Sequence, residues 1–448
     1  MDVRGKKVTV FGMGKSGLAT CRLLQERGAE VRAADNADPA RLAPAAEELG
    51  SLGIPLLGQS GVALEGCELA VLSPGVPPDL PLFDQARASG IPILGDVEVA
   101  SWFLRGPILG VTGSNGKTTV TALCGHLLQQ CGIPCQVGGN IGTPLAAMVS
   151  TSESQKWNVL ELSSFQLETS ETLRVHVALA LNVTPDHLDR HHTFEAYAAA
   201  KARIFRNQTA EDYAVLNREN QTAAGYASCT RASVHWFNAG GPVERGFWME
   251  GGQLFADGEP WMPATEIPLR GRHNVENVLA AACAAHLAGA GLPALRAAVR
   301  TFPGVEHRIE FVRRTNGVDY YNDSKATNVD ATIKALESFD RGLWVILGGK
   351  DKQSDYRPLI PLLQQRAERV LLIGAASPLI ASHLGSQVPW VECGDLAGAI
   401  EYASARARQG DTVLLAPACA SFDQFKDYQE RGRVFKQLVS AIPERTMA

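Results

Sequence analysis

The 448-residue chain lacks a basic surplus: Lys and Arg number 42 against 47 Asp and Glu, a formal net charge of -5. A protein that coats DNA or RNA needs a basic face, so that class is disfavoured, although a local basic groove survives the arithmetic. Also missing is any apolar run of the ~20 residues a membrane-spanning helix requires. The nearest candidate, Val275 to Leu292, contains Glu276, Asn277 and His286 and is predicted to be an Ala-rich buried helix. Met1 to Phe11 shows neither a long apolar region nor a small-residue cleavage site, which argues against secretion. The nine cysteines form no C-x-x-C pair and no Cys/His metal spacing. They are expected as small buried hydrophobes in a reducing cytoplasm. There is no repeat of solenoid period and no low-complexity tract.

What remains is a long chain, 45% hydrophobic and 20% charged, which excludes wholesale disorder. At about 150 residues per domain the length suggests roughly three domains. The 43 glycines and the alanines in helical spacing suit alternating strands and helices with Gly-rich turns facing a ligand. Joins are expected near 95 and 303, both at Gly/Pro positions. They divide the chain into 1–95, 96–303 and 304–448. The expected fold is α/β throughout: a Rossmann-like first domain, a central P-loop parallel sheet and a Rossmann-like third domain.

In the first section, Val8-Thr9-Val10-Phe11 is predicted to be a strand, followed by Gly12-Met13-Gly14-Lys15-Ser16-Gly17 and a helix over Leu18 to Arg27. A second strand, Glu30 to Ala34, ends at Asp35. This strand, glycine turn, helix, strand and acid order is that of a dinucleotide-type unit. Its glycines let the backbone approach a diphosphate at a helix N-terminus, where unpaired N–H groups attract anions. The pattern indicates a diphosphate ligand without selecting NAD. Leu69 to Leu72 supplies another strand, running into Ser73-Pro74-Gly75.

In the second section, Pro107 to Val111 is a predicted strand, Thr112-Gly113-Ser114-Asn115-Gly116-Lys117-Thr118-Thr119 a loop, and Val120 to about Gln130 a helix. A strict Walker A loop has Gly where this chain has Val111, but the chemical parts are present. Backbone N–H groups cradle phosphate oxygens, Lys117 reaches the outer phosphates, and the Thr118 hydroxyl can ligate Mg²⁺. Two further strands end in Glu161 and in the loop Thr184-Pro185-Asp186-His187, the second predicted over Val177 to Val183. Ligands of open parallel sheets sit beyond the carboxyl ends of the strands. The P-loop, Glu161 and His187 should therefore converge, and a carboxylate and an imidazole beside phosphates suit a divalent cation. Gly138 to Gly142, with Asn140, is expected on the same rim.

In the third section, strands over Val318 to Tyr321, Leu343 to Leu347, Val370 to Ile373 and Thr412 to Leu415 each end in small or polar residues, again a doubly wound pattern. Three ligand-facing rims are more than a kinase or GTPase needs; an ATP-consuming ligase that joins two substrates needs that number. A carboxylate resists an amine because its charge repels the nucleophile. Phosphorylation to an acyl phosphate removes that obstacle, with Lys117 and Mg²⁺ stabilising the moving charge.

On these residues the chain resembles the Mur ligase family over nearly its whole length. The likeness rests on Gly12 to Gly17 with Asp35, Thr112 to Thr118, Gly138 to Gly142, Glu161 to Gln166 and Asn182 to Arg190. It continues through Gly271 to Asn274, His307-Arg308, Asp323 to Asn328 and Pro417 to Phe425. The resemblance implies ATP and Mg²⁺ as cofactors, with UDP-N-acetylmuramoyl-L-alanine and D-glutamate as the joined substrates, in a cytoplasmic monomer of peptidoglycan synthesis.

By position, the resemblance implies that Ser16, Asp35 and Asn36 meet the uridine diphosphate, and that Gly75, Asn140, Ser163 and His187 also bind substrate. Gly113 to Thr119, Asn274, Asn277, His307, Arg308, Asp323 and Lys325 would hold the nucleotide. Thr118, Glu161, His187 and Lys201 would hold metal, Lys201 being carbamylated in relatives. Lys117, His187 and Lys201 form the expected catalytic set, and Thr327, Lys352, Ser421 and Phe422 the amino-acid pocket. Cationic Lys352 with two hydroxyls suits a dicarboxylate amino acid. Another Mur ligase activity or folylpolyglutamate synthesis is the alternative within the superfamily, the latter with the glycine turn of the first section against it. A nucleotide- or redox-sensing module is the alternative outside it, and leaves Glu161, His187 and the third section without a task.

Overall fold

The computed structural model describes residues 2–351 and 354–444, which form three sheets. The chain divides into two compact units: one runs to Ile267 and resumes over Val275–Phe302; the other comprises Pro268–Asn274 and the chain from Pro303 onward.

The first unit holds two of the sheets. Strands β1 (Lys7–Phe11), β2 (Glu30–Ala34), β3 (Leu56–Leu57), β4 (Leu69–Leu72) and β5 (Ile93–Gly95) pair in the order β3-β2-β1-β4-β5, every pair parallel. The strand order reverses at β1, which opens a crevice beyond its carboxyl end. There the chain must turn sharply: Gly12 has φ 91°, and a Cβ on Gly17 would stand 1.8 Å from the Gly12 carbonyl oxygen. The helix begins at Lys15, earlier than predicted, with extended Gly14 ahead of it and no side chain capping its first N–H groups.

The central sheet comprises β6 (Ile108–Thr112), β7 (Cys135–Gly139), β8 (Trp157–Glu161), β9 (Val177–Ala180), β10 (Tyr213–Asn217), β11 (Ser233–Asn238), β12 (Gly246–Glu250), β13 (Gln253–Ala256) and β14 (Glu259–Pro263). Their order is β14-β13-β12-β11-β10-β9-β6-β8-β7. Pairs from β7 across to β12 are parallel, whereas β12, β13 and β14 form an antiparallel edge. Strand β6 lies at the reversal, with Val111 opposite Glu161 of β8 and Thr112 opposite Ala180 of β9. Both faces are covered by Leu, Val, Ile and Ala side chains, as a parallel sheet requires.

Strand β9 stops at Ala180 and does not reach Val183 as predicted, because the next residues serve the neighbouring loop. The Asn182 carbonyl accepts from Ser114 N and its side-chain oxygen from Asn115 N, both at 2.8 Å. The predicted helix over Val275 to Leu292 is likewise two helices, Arg272–Leu287 and Leu292–Arg300, broken at Gly289 with φ 108°.

The link between the first two sheets is a buried carboxylate. Glu98, in the helix Asp96–Ser101, accepts the backbone N–H groups of Glu171, Thr172 and Leu173, together with the Thr172 hydroxyl and the Trp102 indole. Several donors on one ion offset its desolvation.

The second unit holds β15 (Glu310–Thr315), β16 (Val318–Asn322), β17 (Leu343–Gly348), β18 (Ala367–Ile373), β19 (Trp390–Gly394) and β20 (Thr412–Leu415), ordered β15-β16-β20-β17-β18-β19. The four strands predicted here are its centre. Antiparallel β15 and parallel β19 extend the edges. The three-domain α/β expectation, with a parallel sheet at the heart of each domain, is borne out. Among the described residues no helix is long and apolar enough to cross a membrane.

Candidate active site

The loop after β6 is built by glycine conformations and by its own lysine. Gly113 and Gly116 adopt φ 155° and 85°, and Gly116 stands ahead of the helix Lys117–Gln130 with no side-chain cap. The N–H groups of that first turn are therefore presented at the end of a switch-point strand, the arrangement that attracts phosphate. Lys117 Nζ donates to the carbonyls of Gly113 at 2.8 Å and Ser114 at 3.0 Å. Ser114 Oγ donates to the Thr184 carbonyl at 3.0 Å and lies 3.0 Å from the Tyr197 hydroxyl. Thr118 and Thr119 are buried in the first helical turn. Asn277 presses on the loop, for a Cβ on Gly116 would come 2.7 Å from its Oδ1.

Beside this loop lies a cluster of buried charged groups. Glu161 is buried; one oxygen accepts from Asn140 Nδ2 at 2.8 Å and the other has no hydrogen-bond partner. An orphaned buried carboxylate oxygen is costly unless a cation or donor comes to it. Lys201, on the helix Phe194–Ala202, donates to the same Gly113 carbonyl at 2.8 Å and lies over the Tyr197 ring. Burial, and secondarily the charge of Lys117, pushes its amine down to about 6. Asp186 and Glu161 act on it in the opposite sense. Lys117, Glu161 and Lys201 thus lie within electrostatic reach of one another.

His187 sits at the edge of this cluster. Its backbone is left-handed, φ 52°, its side chain is half exposed, and its ring stands edge-on to Phe165 with centroids 4.9 Å apart. Its nearest carboxylate is Asp186 at 3.6 Å. No three His, Cys, Asp or Glu side chains gather as a metal cluster among the described residues. Asn140 is held by Glu161. Ser163 caps the helix Ser164–Glu168 in a reciprocal capping box with Gln166, so part of its hydrogen-bonding capacity is structural.

In the first sheet, one Asp35 oxygen accepts Met13 N at 2.6 Å and so holds the glycine turn, while the other accepts Ala37 N at 2.8 Å in the loop after β2. Asn36 Oδ1 accepts Gln59 N at 2.7 Å. Gly75 is exposed, with nothing within 4 Å of where a Cβ would stand. Ser16 is hydrogen-bonded to Asp96, a fully buried acid pushed up to about 6 by desolvation. That pair ties the glycine turn to the start of the linking helix.

In the second unit, Asn274, in the first turn of the helix Arg272–Leu287, donates through Nδ2 to the Arg270 carbonyl just ahead of that helix at 2.6 Å. Asp323 is buried and raised to about 7 by desolvation, opposed by the charge of Arg308 and the Ile309 N–H. His307 is left-handed with φ 66°, and its Nδ1 lies 2.9 Å from Asn322 Nδ2. Thr327 and buried Ser421 follow β16 and β20, which are adjacent strands. Lys352 lies outside the described residues.

Phe422 departs from expectation: it is 66% exposed. The aromatic that meets the cations of this rim is Tyr428, over which Lys325 Nζ lies at 5.7 Å and against which His307 stands edge-on. Other groups that sequence reasoning missed are Tyr197, Glu98 and Arg190. Arg190 Nη2 donates to the Val76 carbonyl at 3.2 Å and to Glu168 at 3.3 Å, joining the loop after β4 to the His187 loop. Arg190 stood inside the segment Asn182 to Arg190 already singled out, and residue type alone carried no further signal.

A glycine-lysine loop at a switch point, facing a buried acid and a desolvated lysine, is the construction of a P-loop protein. Family models match over most of the chain: the Mur ligase MurD-like N-terminal domain at residues 6–95, the Mur ligase middle domain at 111–285, and the Mur ligase glutamate ligase domain at 307–419. The chain is 55% identical to UDP-N-acetylmuramoylalanine–D-glutamate ligase of Solibacter usitatus over 99% of each chain. It is 48% identical to the protein of the same name from Koribacter versatilis, again over 99% of each. Its fold matches a solved UDP-N-acetylmuramate–alanine ligase of Thermotoga maritima with TM-score 0.61, at 20% identity, covering 97% of this chain and 99% of that one. The chain belongs to the Mur ligase family, enzymes that form amide bonds in peptidoglycan synthesis.

Proposed function

We propose that the enzyme joins D-glutamate to UDP-N-acetylmuramoyl-L-alanine with cleavage of ATP to ADP and phosphate, through an acyl phosphate. The observation that carries the reading is the convergence of Lys117, the orphaned Glu161 oxygen and the desolvated Lys201 around the Gly113–Thr118 loop. The name of the relatives with 48–55% identity over almost the full length supports the choice of substrates.

The loop N–H groups and Lys117 would bind and orient the ATP phosphates, and Asn277 would fix Gly116 from behind. The unpartnered Glu161 oxygen and the Thr118 hydroxyl fit Mg²⁺, with His187 and a carbamylated Lys201 as the further oxygen and nitrogen donors. Bound there, the cation would supply charge neutralisation for phosphoryl transfer. Asn274, Arg308, Asp323 and Lys325 are assigned to the nucleotide. The turn Gly12–Gly17 with Ser16, and exposed Gly75, would receive the uridine diphosphate. Asp35 and Asn36 would shape that pocket through backbone held in place. Asn140, Ser163 and His187 are assigned to the acceptor, and Thr327, Lys352 and Ser421 to the amino acid. We assign the aromatic wall of that last pocket to Tyr428 in place of Phe422. All nine cysteines are free, which suits the cytoplasm, where ATP is available.

The test is ADP release. It should require Mg²⁺, UDP-N-acetylmuramoyl-L-alanine and D-glutamate together. Release with L-lysine, meso-diaminopimelate or L-alanine in place of D-glutamate would move the enzyme to a sister specificity. Tight NAD binding without ATP turnover would replace ligation with a sensing role.

A further inference from the structure

Arg431, on the helix Tyr428–Ser440, is 1% exposed, and its guanidinium donates to carbonyls and a hydroxyl. Its Nε donates to Ser324 Oγ at 3.0 Å, and Nη2 donates to the Ser324 carbonyl at 2.9 Å and the Cys419 carbonyl at 3.1 Å. Nη1 donates to the Ala420 carbonyl at 3.4 Å. The same guanidinium packs on Gly349, where a Cβ would stand 3.1 Å from Nη1. One side chain therefore spans the loops that follow β16, β20 and β17, three neighbouring strands. Ser324 is used twice, since its hydroxyl also donates to the Tyr428 carbonyl at 2.8 Å. Burial lowers the guanidinium to about 10, with the charge of Asp423 opposing, so it remains a cation at neutral pH.

A buried cation is a poor choice for stability alone, since apolar side chains of similar volume serve as well or better. What the guanidinium offers is a rigid planar fork that fixes several acceptors at set angles. The acceptors it fixes lie three residues before Thr327 and one residue before Ser421, and Arg431 bonds to neither of those two side chains. We infer that Arg431 is a positioning residue for amino-acid recognition: it sets the spacing of the Ser324–Thr327 and Cys419–Ser421 segments, so that their hydroxyls meet the two ends of a dicarboxylate substrate. This rests on the proposed assignment of Thr327 and Ser421 to that substrate.

The test is steady-state kinetics of the full chain and of Arg431→Lys, Ser324→Ala and the double variant, with each of the three substrates varied in turn. Lysine keeps the charge but cannot form the fork. Arg431→Lys is expected to raise the D-glutamate KM about tenfold, roughly 1.4 kcal/mol of binding, and to leave the ATP KM within about twofold. Ser324→Ala should shift the D-glutamate KM in the same direction, and the double variant less than the product of the singles, because both remove one linkage. A merely structural role would lower Tm and kcat while leaving the D-glutamate KM at the parent value. That result in both single variants overturns the inference. Should Arg431→Lys fail to fold, Ser324→Ala decides alone by its D-glutamate KM. Parent turnover is measured first: a parent that does not use D-glutamate overturns the proposed function, whereas a normal parent with unchanged KM in the variants overturns only the role of Arg431.

Discussion

Lys117→Ala is expected to reduce ATP-dependent ligation by at least about 10³-fold, or roughly 4 kcal/mol of transition-state stabilisation. The ammonium group is anchored to the Gly113 and Ser114 carbonyls at the loop that presents the N-terminus of the helix Lys117–Gln130. It is thus pre-placed where negative charge builds up during phosphoryl transfer, and no reorganisation is needed when the charge arrives. Alanine is a good helix former in the first turn, so the fold should survive, with Tm within a few degrees or about 1 kcal/mol of the parent. A Lys117→Ala enzyme that turns over at near the parent rate, with unchanged ATP KM, would remove the P-loop from the mechanism.

Lys201→Ala should be comparably inactive, for a different reason. An amine lowered to about 6 is mostly neutral at pH 7.5 and can attack carbon dioxide. In that step the nitrogen lone pair forms the N–C bond, one C=O pair moves onto oxygen, and a proton leaves nitrogen for solvent. The product is a carbamate, so a neutral side chain becomes anionic beside Glu161 and the phosphate loop. The charge of Lys117, which disfavours a protonated Lys201, favours the carbamate anion. The alanine variant leaves a cavity where that anion would stand, and formate, acetate or propionate should restore part of the activity. Methylamine should not. Rescue by methylamine in place of the carboxylates would mean the cation acts, and an unaffected Lys201→Ala enzyme would mean that neither form matters.

The phosphate loop and its strand were legible because both are local: an apolar strand, two glycines and a lysine within one short stretch. Glu161 could be placed because strand-end position follows from topology, and β8 does lie beside β6 with Glu161 opposite Val111. His187 follows the same rule less closely, since β9 ends early and its loop turns aside to hold the P-loop through Asn182. The antiparallel edge β12–β14 went unread because its short strands carry Trp, Met and Pro without clean alternation. Arg431 and Glu98 were hidden for a more basic reason. Glu98 reaches backbone N–H groups 73 to 75 positions away and Arg431 a carbonyl 107 positions away, and backbone carbonyls and N–H groups carry no residue-type signal. Phe422 and Tyr428 show a related limit. Two aromatics a turn or two apart are equivalent on paper until the helix start at Tyr428 directs one toward Lys325 and leaves the other exposed.

In the proposed reaction the acceptor carboxylate is phosphorylated before the amine attacks. In that order one carboxylate oxygen becomes the bridge to phosphorus, and amine attack at the carbonyl carbon expels phosphate together with that oxygen. UDP-N-acetylmuramoyl-L-alanine labelled with ¹⁸O in its alanine carboxylate, turned over once with ATP and D-glutamate, tests this by mass analysis of the released phosphate. The expected result is one ¹⁸O transferred into each phosphate formed; phosphate without label, alongside normal amide product, would contradict it.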